Sequence, residues 1–370
     1  MSVNLRIPGP TPLPEPVLKA LSGQMINHRG PEFGTLIARL TEDLKKAFAT
    51  TGDVVILTAS GTGGLEAAIT NTLSPGERCL VVSIGVFGDR VFDIAKTYGA
   101  DPVKLSFPLG QAADPDKVRQ ALKADAKITT VFVTHNETST GVTNDLGALV
   151  KVIKGEFGKT LVVDGISSIG SIPCPVDAWG LDIAVSGSQK GWMTPPGLAM
   201  VSVSKHGWEV IAKAKTPRYY FDLVKAKESA AKGQTPWTPA VSVYYALDAG
   251  LKMMFAEGLE ATHQRHARIG AHTRAMVKRM GFKLFAADER FASNTVTACH
   301  VPEGVTWKQV SERLRNDHQT VLAGGQGPLM GKIFRIGHLG WVSEKEIDQA
   351  GIALEKSLAA VGTPLGARSA

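Results

Sequence analysis

The sequence predicts an α/β protein: a large domain around a largely parallel sheet, followed by a smaller C-terminal α/β domain. Three observations predict it. From Asp53 onward, short apolar runs alternate with segments of helical period, the pattern of strand–helix crossover units. Polar residues (Ser60, His135, Asn136, Asp164 and Lys190) fall where apolar runs end, and ligands of such sheets gather at the carboxyl ends of the strands. After about Tyr244 the texture changes to one long helical stretch, then to short mixed elements.

The elements follow in order. The first fifty residues are Pro-rich and then helical, suited to packing across both domains. "VVILTAS" (Val54 to Ser60) reads as a strand and "GGLEAAITNTL" (Gly63 to Leu73) as a helix. "CLVVSI" (Cys79 to Ile84) is a strand, Gly88 to Gly99 a helix, and "PVKLSF" a strand. Asp114 to Ala124 is a helix with an aspartate at its start, where a side-chain oxygen caps free amides. "ITTVFVTH" (Ile128 to His135) is a strand, "NDLGALVKVIKGEFG" a helix, and "TLVVDG" (Thr160 to Gly165) a strand. Leu181 to Val185 and Leu198 to Val203 are two further strands that flank Lys190. The helical stretch after Tyr244 runs to about Met280 and carries the domain boundary. Short strands ("TVTACHV", "KIFRIGH") and helices ("WKQVSERLRNDH", "SEKEIDQAGIALEKSLAAV") complete the chain.

At 370 residues, 44% hydrophobic and 20% charged, the chain can bury a large core and a second domain. No apolar run reaches the roughly 20 residues of a membrane span. The segment Met1 to Pro16 has no apolar secretory core, and Ala367-Arg368-Ser369-Ala370 is no sorting tripeptide. Three cysteines, Cys79, Cys174 and Cys299, form no CxxC. That argues for reduced, buried thiols and a cytoplasmic location. The net charge is +7 with dispersed basic residues, and only 6% of residues are aromatic. The basic stripe with interleaved aromatics expected of a nucleic-acid binder is missing. A mild positive excess suits small anions, and equally a plain solvated surface.

Three motifs carry chemistry. "ASGTGGLEAA" (Ala59 to Ala68) is a strand end, a small-residue turn and a helix start. Free N–H groups and the positive helix end converge there, which suits a phosphate. It is neither a Walker A nor a GxGxxG, and similar joints also serve purely structural ends. "VVDGISSIG" sets Asp164 at a strand end. Such a carboxylate can be a solvated cap, a metal ligand or a partner for a cationic ring nitrogen. No further ligands at metal spacing accompany it, so no metal is expected. "SGSQKG" places Lys190 in a Gly/Ser turn. An exposed turn lysine is the plain reading; a desolvated one has a lowered pKa and becomes a nucleophile toward aldehydes. In this order the three are the parts pyridoxal phosphate requires: a helix end for phosphate, an anion for the pyridine nitrogen, an amine for the aldehyde.

Through these motifs and others, the chain resembles the class V, fold-type I aminotransferases, and among them the alanine/serine–glyoxylate group. The resemblance runs through "PGPTPLPEPVL", "HRGPEF", "ASGTGGLEA", "GVFGDR", "THNETSTGV", "VDGISSIGS", "SGSQKG", "TPWTPAVSVYYAL", "EGLE" and "FRIGHLG". It implies the PLP-dependent transferase fold type I, whose large domain holds a seven-stranded, mostly parallel sheet. The implied division is an N-terminal segment 1–20, a large cofactor domain 21–250 and a small domain 251–370. Lys190 would be the Schiff-base lysine and proton shuttle, and Asp164 the partner of the pyridinium nitrogen. Ile166 would pack beneath the ring and Phe87 would stack above it, where relatives often carry tryptophan. Thr138 would bond the phenolic oxygen. Ser60, Gly61, Thr62 and Gln189 would bind the phosphate; some relatives have histidine at the Thr62 position, so the anchor here is neutral. Thr235 and Thr238 would reach the phosphate of the neighbouring subunit, which makes the active site a property of a homodimer. Arg335 would bind the substrate carboxylate through its planar fork. Gly9 and Asn27 would line the substrate pocket, with His28 and Arg29 beside them.

The implied activity is transamination of serine or alanine with glyoxylate or pyruvate, with ping-pong kinetics. No second cation for a distal acid is evident, which disfavours aspartate or glutamate. Ureidoglycine–glyoxylate transamination uses the same scaffold. Cysteine desulfuration would need a mobile cysteine, and all three here lie in or beside apolar strands. A non-enzymatic α/β binding module is the remaining rival; every cofactor-facing residue type is nonetheless present.

Overall fold

The computed structural model describes residues 3–362, so the C-terminal tetrapeptide Ala367–Ala370 lies outside the described residues. Its strands are β1 (Asn4–Arg6), β2 (Asp53–Ala59), β3 (Arg78–Ser83), β4 (Asp101–Ser106), β5 (Thr130–Thr134), β6 (Thr160–Asp164), β7 (Ile183–Gly187), β8 (Gly197–Val203), β9 (Val296–His300), β10 (Thr320–Gly324) and β11 (Ile333–Gly337), besides the short hairpin Asn136–Glu137/Val142–Thr143. The seven-stranded sheet has the order β2-β8-β7-β6-β5-β3-β4. All its pairings are parallel except those of β8, which runs antiparallel to both β2 and β7.

The apolar runs are continuous because both faces of this sheet are covered. Strand alternation sends Val54, Ile56, Leu80, Val82, Val131 and Val133 to one core. Their neighbours Val55, Leu57, Val81 and Phe132 go to the other. On the first face the helix Pro31–Phe48 buries Phe33, Leu36, Ile37, Leu40, Leu44 and Phe48, a stripe of helical spacing. On the second lies the helix Gly61–Thr72.

A four-stranded sheet, β1-β10-β11-β9, forms the smaller unit with its own core. The chain's first strand belongs to it: β1 pairs in parallel with β10. The Pro-rich segment after β1 therefore runs from the small sheet toward the large one.

Three expectations change. The long helix after Tyr244 is two helices, Val241–Glu257 and Leu259–Arg279, broken at Gly258, whose φ of 95° no helix accommodates. The helix expected over 144–158 is α-helical only at Leu146–Val150 and continues as a π-helix over Lys151–Glu156. The helix expected from Gly63 starts at Gly61, with Ser60 as its N-cap. Among the described residues no helix is long and apolar enough to cross a membrane.

Candidate active site

Lys190 sits in the turn between β7 and β8. Ser188 pins that turn, donating its hydroxyl to the Pro195 carbonyl at 2.6 Å while the Leu198 amide donates back to it. Below, Trp192 is fully buried, stacks on Phe48 and donates its indole N–H to Ser186. The N-terminal segment closes over the top. The Lys190 ammonium donates to the Pro8 carbonyl, the Thr11 amide to the Gln189 carbonyl, and the Thr11 hydroxyl to the Lys190 carbonyl. Lys190 is left only 9% exposed. Burial is the main cause that brings its amine down to about 8; the Arg335 charge lowers it further, while Asp164 opposes.

Gly9 is the sequence-predicted pocket residue that the structure sets against this lysine. A Cβ on it would lie 2.7 Å from Nζ, and its φ of 122° is disfavoured for other residues. Gly9→Ala is therefore expected to cost about 1–3 kcal/mol of stability. It should also lower turnover by roughly 10²-fold through displacement of Nζ. Thermal melting and steady-state rates check both; an unchanged rate would show that Nζ needs no such clearance.

Asp164 ends β6 and is 6% exposed. Its Oδ1 accepts the Ile166 amide at 3.0 Å, and no other protein hydrogen bond to the carboxylate is present among the described residues. Desolvation therefore dominates and pushes the carboxyl up to about 7; the Ile166 amide pulls down and buried Glu137 pushes further up. An added cation would reverse that shift. Ile166 itself lies against Gly61, whose missing Cβ would fall 2.7 Å from its Cδ1. Only a glycine there lets the turn after β2 approach the turn after β6.

At that turn Ser60 is extended and makes no side-chain cap bond, so its hydroxyl and the first amides of the helix Gly61–Thr72 are uncommitted. The helix carries no acid in its first turn, which suits an anion. Gln189 brings a buried amide oxygen with no partner. Thr62 accepts from Arg90 at 3.0 Å.

Arg335, on β11, is 4% exposed. Its Nε and Nη2 donate to the Gly324 carbonyl and its Nη1 to the Thr138 carbonyl. It forms no ion pair with any carboxylate among the described residues. Burial brings it down to about 10. The Thr138 hydroxyl donates to Ser167, which in turn donates to the Asn136 carbonyl.

Two contributors escaped the sequence reading. Glu137 is fully buried and accepts the amides of Phe87, Gly88 and Ser139, so it caps the first turn of the helix Val86–Thr97, which carries Phe87. Arg90 lies with its guanidinium carbon 4.7 Å from the Phe87 ring centroid. Each was legible only as a charged residue inside a quoted motif, "NETS" and "GVFGDR". Three expected residues are not drawn to the Lys190 turn within one chain. Thr235 donates to the Trp237 carbonyl and Thr238 is exposed. Asn27 is exposed and accepts the Arg29 amide. Arg29 reaches Gln234 and the Thr235 carbonyl, which fastens the Asn27 segment to the Thr235 loop.

The cysteines lie apart and are all free and buried, with burial pushing the thiols of Cys79 and Cys174 up to about 12 and Cys299 up as well. None is a nucleophile at neutral pH.

Residues 3–339 match the family model "Aminotransferase class-V". A protein from Synechococcus described as the small subunit of a soluble hydrogenase is 45% identical over 97% of this chain and 93% of its own. An L-aspartate–glyoxylate aminotransferase from Paracoccus denitrificans is 39% identical, over 97% of this chain and 92% of its own. A serine–glyoxylate aminotransferase from Methylorubrum extorquens is 38% identical, over 96% and 90%. Among solved structures, the alanine–glyoxylate aminotransferase of Nostoc superposes with a TM-score of 0.93 at 31% identity, over 97% of this chain and 96% of that one. The residues present fit pyridoxal phosphate: a buried carboxylate short of donors, a buried amine and an uncommitted helix N-terminus. The chain belongs to the class-V aminotransferases and is a pyridoxal phosphate-dependent transaminase.

Proposed function

We propose that this enzyme transfers the amino group of a small amino acid, serine or alanine, to glyoxylate or pyruvate. The observation that carries the reading is Arg335: a buried guanidinium with no carboxylate of its own, near enough to Lys190 to lower its pKa. A carboxylate bound there would be held by a planar fork beside the amine that acts on its Cα proton.

The residues divide the work as follows. Lys190 would hold the cofactor covalently and then take and return the Cα proton at Nζ. A lysine titrating at about 8 is still mostly charged at pH 7, but roughly a tenth of it is free base, hundreds of times more than at the ordinary 10.5, and that fraction can act as the base. Asp164 would hold the pyridinium N–H, with Ile166 against one ring face and Phe87 against the other. Thr138 would bond the phenolic oxygen. Ser60, Gly61, Thr62 and Gln189 would hold the phosphate. When bound, the cofactor supplies an aldehyde and an electron-accepting ring. Gly9 and Asn27 would bound the substrate pocket. Thr235 and Thr238 would serve the neighbouring subunit's phosphate, so the working unit is a homodimer. The exposed aromatics Tyr219 and Tyr220, stacked on Trp237 of the same loop, support that assembly. Buried free cysteines support a reducing, cytoplasmic setting.

An amino-donor panel with glyoxylate tests the reading. L-Serine and L-alanine are expected to lead, with double-reciprocal plots parallel as in a ping-pong cycle. L-Aspartate is the second reading, supported by the Paracoccus relative; ureidoglycine, the donor named for a Bacillus subtilis structure of the same fold, is the third. Either of them leading would overturn the small-donor assignment.

A further inference from the structure

Arg90 has no role in the assignments above. It stands on the helix Val86–Thr97, half-buried, with Nη1 donating to the Thr62 hydroxyl at 3.0 Å and its guanidinium lying 4.7 Å from the Phe87 ring centroid. It forms no ion pair among the described residues. Two nearby acids are engaged elsewhere: Asp89 takes Lys104 and the Ser83 hydroxyl, and Glu66, a turn beyond Thr62, takes the Tyr98 hydroxyl; Asp93, one turn on along the same helix, is exposed and forms no ion pair with Arg90. A cation is thus left unneutralised between the phosphate turn and the aromatic ring.

The turn needs that charge. Ser60, Gly61 and Thr62 offer only hydroxyls, amides and the partial charge of a helix end, whereas a phosphomonoester at pH 7 carries close to two negative charges. Because the Thr62 oxygen accepts from Arg90, its own O–H is left to donate, and donation is strengthened when the oxygen accepts a charged donor.

We propose that Arg90 is the cation of the phosphate turn, a positioning residue that acts through the Thr62 hydroxyl to hold the phosphate. The proposal rests on the reading of the Ser60 turn as the phosphate site. The field of Arg90 also favours ionised Asp164 and uncharged Lys190, the states the proposed chemistry uses.

The test uses the full chain stripped of cofactor. It is titrated with pyridoxamine 5′-phosphate and, separately, with pyridoxamine, neither of which bonds covalently to Lys190; tryptophan fluorescence reports binding. Arg90→Gln is expected to weaken pyridoxamine 5′-phosphate by roughly tenfold to a hundredfold, the worth of a charge-assisted contact, and to leave pyridoxamine unchanged. Arg90→Lys, which keeps the charge without the planar fork, should fall between; it also serves if the glutamine variant melts early. In a Thr62→Val background the Arg90→Gln loss should shrink, because the relay is already cut. Equal weakening of both ligands would overturn the proposal and leave Arg90 as packing for Phe87. A wild type that prefers the phosphorylated ligand while Arg90→Gln changes nothing would overturn Arg90 alone. A wild type with no such preference would overturn the phosphate turn itself, and this proposal with it.

Discussion

Lys190→Ala is expected to lower transamination on the order of 10³-fold or more, since it removes both the covalent anchor and the proton carrier. The fold should survive, because Ser188, Trp192 and Thr11 hold the turn through backbone and neighbouring side chains and not through the lysine stem. Borohydride treatment of cofactor-loaded protein followed by mass measurement checks the anchor: wild type should gain the cofactor's mass and the variant should not. Retention of that mass in the variant would assign the anchor to another lysine. A second readout comes from stability. The amine titrates at about 8 in the folded chain against an ordinary 10.5, so the folded state disfavours its charge. In cofactor-free protein this penalty is fully present below pH 8 and fades as pH rises toward 10.5. The alanine variant lacks it and should melt no earlier than wild type at pH 7, an outcome consistent with a site arranged for reactivity at some cost in stability.

Asp164→Asn is expected to retain the cofactor and to lose roughly 10²–10³-fold in turnover, the range for one preorganised charge. Asparagine keeps the shape and an acceptor for the Ile166 amide but cannot become an anion. The cofactor-free proteins separate the two by pH. The wild-type carboxyl titrates at about 7 against an ordinary 3.8, so folding favours its protonated form. The associated stability is present below about pH 4 and is lost as pH rises through about 7. Melting temperatures should follow that trend in wild type, and the part due to this group should vanish in the variant. Full turnover by Asp164→Asn would show that the ring needs no anion from this residue. A melting profile with the same pH dependence as wild type would show instead that the carboxylate is not desolvated.

The two variants probe a pair of groups whose pKa values burial drives toward one another, an acid upward and a base downward. Such convergence at the carboxyl ends of β6 and β7 is the electrostatic mark of a reactive site. Glu137 shows how non-local this is. It lies in a short hairpin, yet it caps the Phe87 helix and raises the Asp164 carboxyl. Nothing in "NETS" distinguishes a solvated glutamate from one with no exposed surface; its environment is built by residues from other strands.

Much of the architecture was nonetheless written in local pattern. The continuous apolar strand runs and period-3.6 helices of 53–203 are set by which faces each segment must bury, and these segments became the seven-stranded sheet and its covering helices. The turns at Ser60, Asp164 and Lys190 were legible because they interrupt such runs with small or polar residues. The break at Gly258 and the π-helical turn at Lys151–Glu156 were not: helix-forming sequence stands on both sides of Gly258, and Val152 and Ile153 stay buried through the π-turn. Nor was β1, three residues long, because its strand character depends on pairing with β10, which stands more than three hundred residues away.

By itself, then, the amino-acid order determined the α/β class, the succession of strands and helices, and the residue types offered at each strand end. Tertiary structure alone decided that Pro8 and Thr11 close over Lys190, that Arg335 is buried without an acid, and that Arg90 meets Thr62 and Phe87. The reason is range. Backbone preference and side-chain period act over a few residues, whereas desolvation and Coulomb forces depend on which distant segments the fold packs together.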